Sequence, residues 1–130
     1  PPRYWLLYID DNPINLALLQ GLFEDHPQHR LLVAERPVAA LTLLRQQPFD
    51  ALLLDRQMPD LDGFALFHEL RADPATQALP VVAVTADATP ATRQRCLDLG
   101  FVDVITKPVD AERLLAAVDR ALQRPTPPPG

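Results

Sequence analysis

The chain has 130 residues, of which 48% are apolar, and a formal net charge of −5. That length sets one domain with a single substantial core, and that apolar fraction excludes an intrinsically disordered chain. The acidic balance argues against nucleic acid as a direct partner, and no apolar run approaches the ~20 residues of a membrane span.

The lone Cys96 has no second cysteine to pair with, which fits a reducing, cytoplasmic setting; it reads as a small residue that packs a helix. No signal-peptide pattern opens the chain. Residues 1–3 and the proline-rich 124–130 read as linkers, leaving 4–123 as the domain.

Tyr4 to Ile9 is aromatic and aliphatic throughout and predicts a strand that stops at Asp10-Asp11. Asn12-Pro13 predicts a helix start, with Ile14, Leu18, Leu19, Leu22 and Phe23 on the inward face. Arg30 to Ala34 is a short strand, and Pro37 opens a helix to about Gln46 with Ala40, Leu41 and Leu44 inward. Ala51 to Leu54 is a central apolar strand ending at Asp55, followed by a turn-rich loop from Met58 to Gly63. Phe64, Leu66, Phe67 and Leu70 form the face of a third helix. Val81 to Val84 is a fourth strand ending at Thr85, and Thr89-Pro90 starts a helix that Gly100 closes. Phe101 to Thr106 is the fifth strand, ending at Lys107-Pro108, and Asp110 caps a last helix with Leu114, Leu115, Val118 and Leu122 inward. Five strands alternating with five helices predict an α/β fold, a parallel sheet with helices on both faces.

In such a sheet the carboxyl ends of the strands share one edge, where ligands bind. The first strand delivers Asp10 and Asp11 there, the third Asp55, the fourth Thr85 and the fifth Lys107, the only lysine among twelve basic residues. Crowded carboxylates repel unless a cation joins them, and Mg²⁺ is a hard ion that prefers oxygen ligands. Lys107 would offset remaining charge, and Thr85 would offer a hydroxyl to an oxyanion. That set suits phosphoryl transfer to a carboxylate, which is mostly positioning and cationic stabilisation. Taken singly, each residue has a commoner structural role: Asp55 as a turn former or helix cap, Asp10-Asp11 as caps, Thr85 as a turn hydroxyl, Lys107 as a loop charge. The functional reading rests on the set.

Other chemistries find no support. His26, His29 and His68 lack metal-ligand spacing and read as solvated positions, and Arg93, Arg95, Arg113 and Arg120 read as solvated helix faces. The chain has only four glycines and no serine, which argues against a phosphate-cradling glycine loop or serine hydrolysis.

Asp10-Asp11, Asp55, Met58-Pro59, Asp62-Gly63, Thr85-Ala86 and Lys107-Pro108 resemble the receiver domain of two-component response regulators. The stretches Ile9 to Asn15 and Asp55 to Gly63 look most like receivers of hybrid sensor histidine kinases. The resemblance implies a three-layer, flavodoxin-like (βα)5 fold with sheet order 2-1-3-4-5. It implies that Asp55 accepts a phosphoryl group from a phosphohistidine of a histidine kinase or phosphotransfer domain. Asp11, Asp55 and the Gln57 backbone carbonyl would ligate Mg²⁺ directly, and Asp10 through water. Thr85 and Lys107 would bind phosphoryl oxygens, while Gln57 and Asp87 would tune the lifetime of the phosphorylated state. No independent enzyme activity is expected beyond self-phosphorylation and autodephosphorylation. The family often carries an aromatic ring three residues before the lysine, and here Val104 stands there, which predicts weak signalling through the fourth and fifth helices or a relay role. The alternative is a receiver-like interaction module that is never phosphorylated. A haloacid-dehalogenase-type phosphatase would need a second acid two residues after Asp55, and Gln57 is there instead.

Overall fold

A computed structural model of the chain describes residues 4–55, 63–87 and 89–123. Five strands, β1 (Tyr4–Ile9), β2 (His29–Ala34), β3 (Ala51–Asp55), β4 (Val81–Thr85) and β5 (Asp103–Thr106), alternate with five helices. These are α1 (Pro13–Glu24), α2 (Pro37–Gln46), α3 (Gly63–Ala72), α4 (Pro90–Leu99) and α5 (Ala111–Gln123). The strands pair in parallel in the order β2-β1-β3-β4-β5, the flavodoxin-like order that the receiver resemblance implies. β3 and β4 are buried along their whole length, which is why they are written as unbroken apolar runs.

Strand side chains alternate between faces, and the core divides accordingly. Leu7, Ile9, Leu52, Leu54, Val81 and Ala83 pack with the buried faces of α2, α3 and α4. Leu6, Tyr8, Ala51, Leu53, Val82 and Val84 pack with those of α1 and α5. The result is three layers with the sheet in the middle. Asn12 caps α1 by accepting the Ile14 N–H at 2.9 Å, and Thr89 caps α4 by accepting the Thr92 N–H at 3.2 Å. Gly100 ends α4 at φ 114°, a left-handed backbone that a side chain disfavours. Cys96 is fully buried, in the packing role expected of it.

The structure corrects three sequence-based expectations. The inward face of α1 is Leu16, Leu19 and Phe23, whereas Ile14 and Leu18 are 68% and 64% exposed. This helix is apolar around much of its circumference, so periodicity at about 3.6 residues per turn could not choose the face; docking on the sheet did. β5 begins at Asp103, because the Phe101 N–H is taken by the Cys96 carbonyl at the end of α4. His29 is half-buried rather than solvated: it lies in β2 against Tyr4 and Phe23, and neither ring nitrogen finds a partner among the described residues. The four arginines expected on solvated faces are all exposed, and each also has a partner. Arg93 of α4 donates to Asp103 at 3.1 Å and to the Val104 carbonyl at 3.2 Å, and Arg120 of α5 pairs with the other Asp103 oxygen. Arg95 lies 4.8 Å from the Phe64 ring centroid. Arg113 lies 3.9 Å from Asp110.

Candidate functional site

The carboxyl ends of β1, β3, β4 and β5 bring together the residues that the sequence placed at one edge. Asp55 is the last residue of β3 and is 1% exposed, and Asp10 follows β1 and is wholly buried. Asp11, beside it, is exposed. One carboxylate oxygen from each of Asp10, Asp11 and Asp55 lies within 4.8 Å of the others. Two of those three carboxylates are removed from water, where unneutralised charge is most costly. A set of hard oxygen donors that converge and are partly exposed fits a Mg²⁺ ion.

Lys107, just beyond β5, supplies the positive charge. Its Nζ is 3.1 Å from Asp10 Oδ2 and 3.2 Å from Asp55 Oδ1, so one ammonium bridges two buried carboxylates. The Lys107–Pro108 peptide bond is cis. Thr85 ends β4 and is fully buried, with its Oγ accepting the Asp87 N–H at 3.1 Å. Asp87 in turn accepts the Thr89 N–H at 3.1 Å and the Thr92 hydroxyl at 2.8 Å, tying the end of β4 to the first turn of α4. Val104 is buried in the core between the sheet and α4. Gln57 lies outside the described residues, as does most of the Met58–Gly63 loop.

Asp10 accepts hydrogen bonds from Tyr8, Asn12 and Asn15, which the strand-end pattern does not reveal. Its Oδ1 accepts the Asn12 N–H at 2.9 Å. Its Oδ2 accepts the Tyr8 hydroxyl at 2.5 Å and the Asn15 side-chain amide at 3.1 Å. Burial pushes the Asp10 carboxyl up, but the Tyr8 and Asn12 hydrogen bonds and the Lys107 ammonium outweigh it and hold it below the ordinary range. Burial, and then the neighbouring Asp10, push the Tyr8 hydroxyl up, so it stays a proton donor. The signal was present in the sequence: Tyr8 precedes Asp10 by two residues, the spacing that puts strand side chains on one face. The strand pattern accounts for the Tyr8 ring and gives its hydroxyl no role.

A sheet-edge cleft with an acid triad, a bridging lysine and a strand-end threonine defines a receiver-type domain. The sequence pattern of the response regulator receiver domain matches residues 6–119, and the chain belongs to that family. It is 38% identical over 109 residues to the signal transduction histidine-protein kinase BarA of Escherichia coli K12, covering 84% of this chain and 12% of BarA. The sensor protein GacS of Pseudomonas syringae is 36% identical, over 94% of this chain and 14% of GacS. The chain thus spans about an eighth of the length of these sensor kinases. Protein PilH of Pseudomonas aeruginosa is 35% identical over 90% of this chain and 96% of its own length. Among solved structures, the receiver domain of a sensor histidine kinase from Pseudomonas aeruginosa PAO1 superposes with a TM-score of 0.81 at 27% identity, over 93% of this chain and 98% of that one. That structure has a magnesium ion coordinated in its active-site cleft.

Proposed function

We propose that this domain is a phosphoacceptor in a two-component phosphorelay and that Asp55 takes the phosphoryl group from a phosphohistidine of a histidine kinase or phosphotransfer domain. An Asp55 oxygen attacks phosphorus, the P–N bond to the donor imidazole breaks, and the imidazole leaves with the electron pair. The observation that carries this reading is the convergence of three carboxylates within 4.8 Å, with the Lys107 ammonium 3.2 Å from Asp55. Bound Mg²⁺ would offset the charge of the transferring group. Asp11 and Asp55 would hold it through their carboxylates, and Asp10, whose lone pairs are largely committed to protein donors, would reach it through water. Gln57 would add a backbone carbonyl. Lys107 and Thr85 would bind phosphoryl oxygens, and Asp87 and Gln57 would tune hydrolysis.

The likeness to BarA and GacS supports a place in a hybrid sensor kinase. In that reading residues 4–123 are its receiver, residues 1–3 and 124–130 are linkers, and the location is cytoplasmic. No helix among the described residues is long and apolar enough to cross a membrane. The match to nearly all of PilH favours a second reading, a self-standing regulator. Val104 in place of a mobile ring supports passing the phosphoryl group onward rather than a strong conformational output, because a β-branched residue has few rotamers.

Incubation with Mg²⁺ and acetyl phosphate, followed by intact mass spectrometry, tests the central claim. One phosphoryl adduct is expected, lost in Asp55→Asn and on chelation of the metal. A wild-type protein that takes no adduct under these conditions would sink the reading in favour of an interaction module.

A further inference from the structure

The bridging ammonium raises a question of allocation. Lys107 Nζ stands almost equally between Asp10 Oδ2 at 3.1 Å and Asp55 Oδ1 at 3.2 Å. If Asp10 held the lysine alone, Asp55 and an incoming phosphoryl oxygen would lose it. Asp10 is wholly buried and its Oδ2 faces the ammonium, so its pull on the lysine is strong unless other donors meet its charge. Tyr8 is such a donor: its fully buried hydroxyl bonds to the same Oδ2 that faces Lys107. A phenylalanine would fill the same space between the sheet and α1 with no polar group to satisfy. The hydroxyl therefore does something that packing does not require.

We propose that Tyr8 is a positioning residue of the cleft, whose buried hydroxyl holds the Asp10 carboxylate and meets part of its charge, leaving Lys107 shared with Asp55. The proposal rests on the reading of Asp55 as phosphoacceptor. Asn15 and the Asn12 N–H assist by fixing the same carboxylate from α1 and its cap, at 3.1 and 2.9 Å. Asp10 is thereby oriented from its own strand and from the following helix. Without the Tyr8 hydroxyl, Oδ2 draws Lys107 toward itself, and the oxygen of Asp55 that faces the lysine loses its counter-charge.

The test uses a feature of this chain: Lys107 is its only lysine, so lysine labelled with ¹⁵N at the side chain gives a single ammonium signal. In Tyr8→Phe that signal is expected to shift in the metal-free protein. The maximal rate of phosphorylation by acetyl phosphate should fall about tenfold, the scale of one hydrogen bond to a charged group, while the half-saturating Mg²⁺ concentration changes less than about twofold. A purely structural role would lower the melting temperature and leave the lysine signal and the maximal rate unmoved; that result overturns the proposal. If the wild-type protein takes no phosphoryl group, the phosphoacceptor reading fails, and the lysine signal still decides whether Tyr8 governs Lys107. Should Tyr8→Phe not fold, 3-fluorotyrosine in a Tyr4→Phe background keeps the ring and strengthens the donor. The lysine signal is then expected to move, and an unmoved signal overturns the proposal.

Discussion

At the scale of single residues, burial decides more than identity. His29 and His26 lie three positions apart on one turn, with ring centroids 6.3 Å from one another. His29 is packed with Tyr4 and Phe23, and burial pushes its imidazole below the ordinary value of 6.5, reinforced by His26 and opposed by Asp119 of α5. Glu24 and Arg30 line the same recess. A histidine with a depressed folded pKa binds fewer protons folded than unfolded, so stability rises with pH across that interval. The contribution is fully present above 6.5 and is lost as pH falls from there through the folded pKa. The urea midpoint of the wild type is therefore expected to drop between about pH 7 and pH 5, and His29→Phe to flatten that drop. An equal fall in both proteins would show that other groups carry it. The sequence showed this histidine but not its burial, because its neighbours come from β1 and α1.

At the scale of elements, β5 is held to its flanking helices by one buried carboxylate. Asp103 is 3% exposed and receives Arg93 from α4 and Arg120 from α5, while the N–H of Val104 bonds to it at 2.8 Å. The arginines are 50% and 60% exposed and regain water easily when released, so Asp103 bears the main cost of a broken pair. Either arginine alone still neutralises it. Arg93→Met and Arg120→Met are each expected to lose about 1 kcal/mol, and the double variant more than their sum, about 3 kcal/mol or more. Additive losses in chemical denaturation would refute a shared clamp. Arg93 also follows Thr92, which is bonded to Asp87 and, through it, to Thr85. Two sets of polar contacts, Thr85–Asp87–Thr92 at the cleft and Arg93–Asp103–Arg120 between α4, β5 and α5, thus meet at adjacent residues of α4.

At the scale of the molecule, the cleft concentrates negative charge where four strands end. The folded state holds Asp10, Asp11 and Asp55 together and the unfolded chain does not, so a divalent cation at that site binds the folded form selectively. The thermal midpoint is expected to rise with Mg²⁺, by the equivalent of about 2.7 kcal/mol at one hundred times the dissociation constant. Asp11→Asn should remove most of that rise with little effect on stability in the absence of metal, since Asp11 is exposed. A rise of equal size in the variant would place the cation elsewhere.

The sequence by itself determined the element order, the parallel α/β class and the strand-end positions of Asp10, Asp11, Asp55, Thr85 and Lys107. Those follow from local patterns: unbroken apolar runs, proline and asparagine at helix starts, and acids where strands stop. The tertiary structure alone decided which side of α1 faces the sheet, because Ile14 and Leu18 are as apolar as Leu16 and Leu19. It also decided that Arg93 and Arg120 meet on Asp103, and that Tyr8 and Lys107 share one oxygen of Asp10. Such pairings depend on how strands and helices distant in the chain are registered and docked, which no short-range pattern encodes.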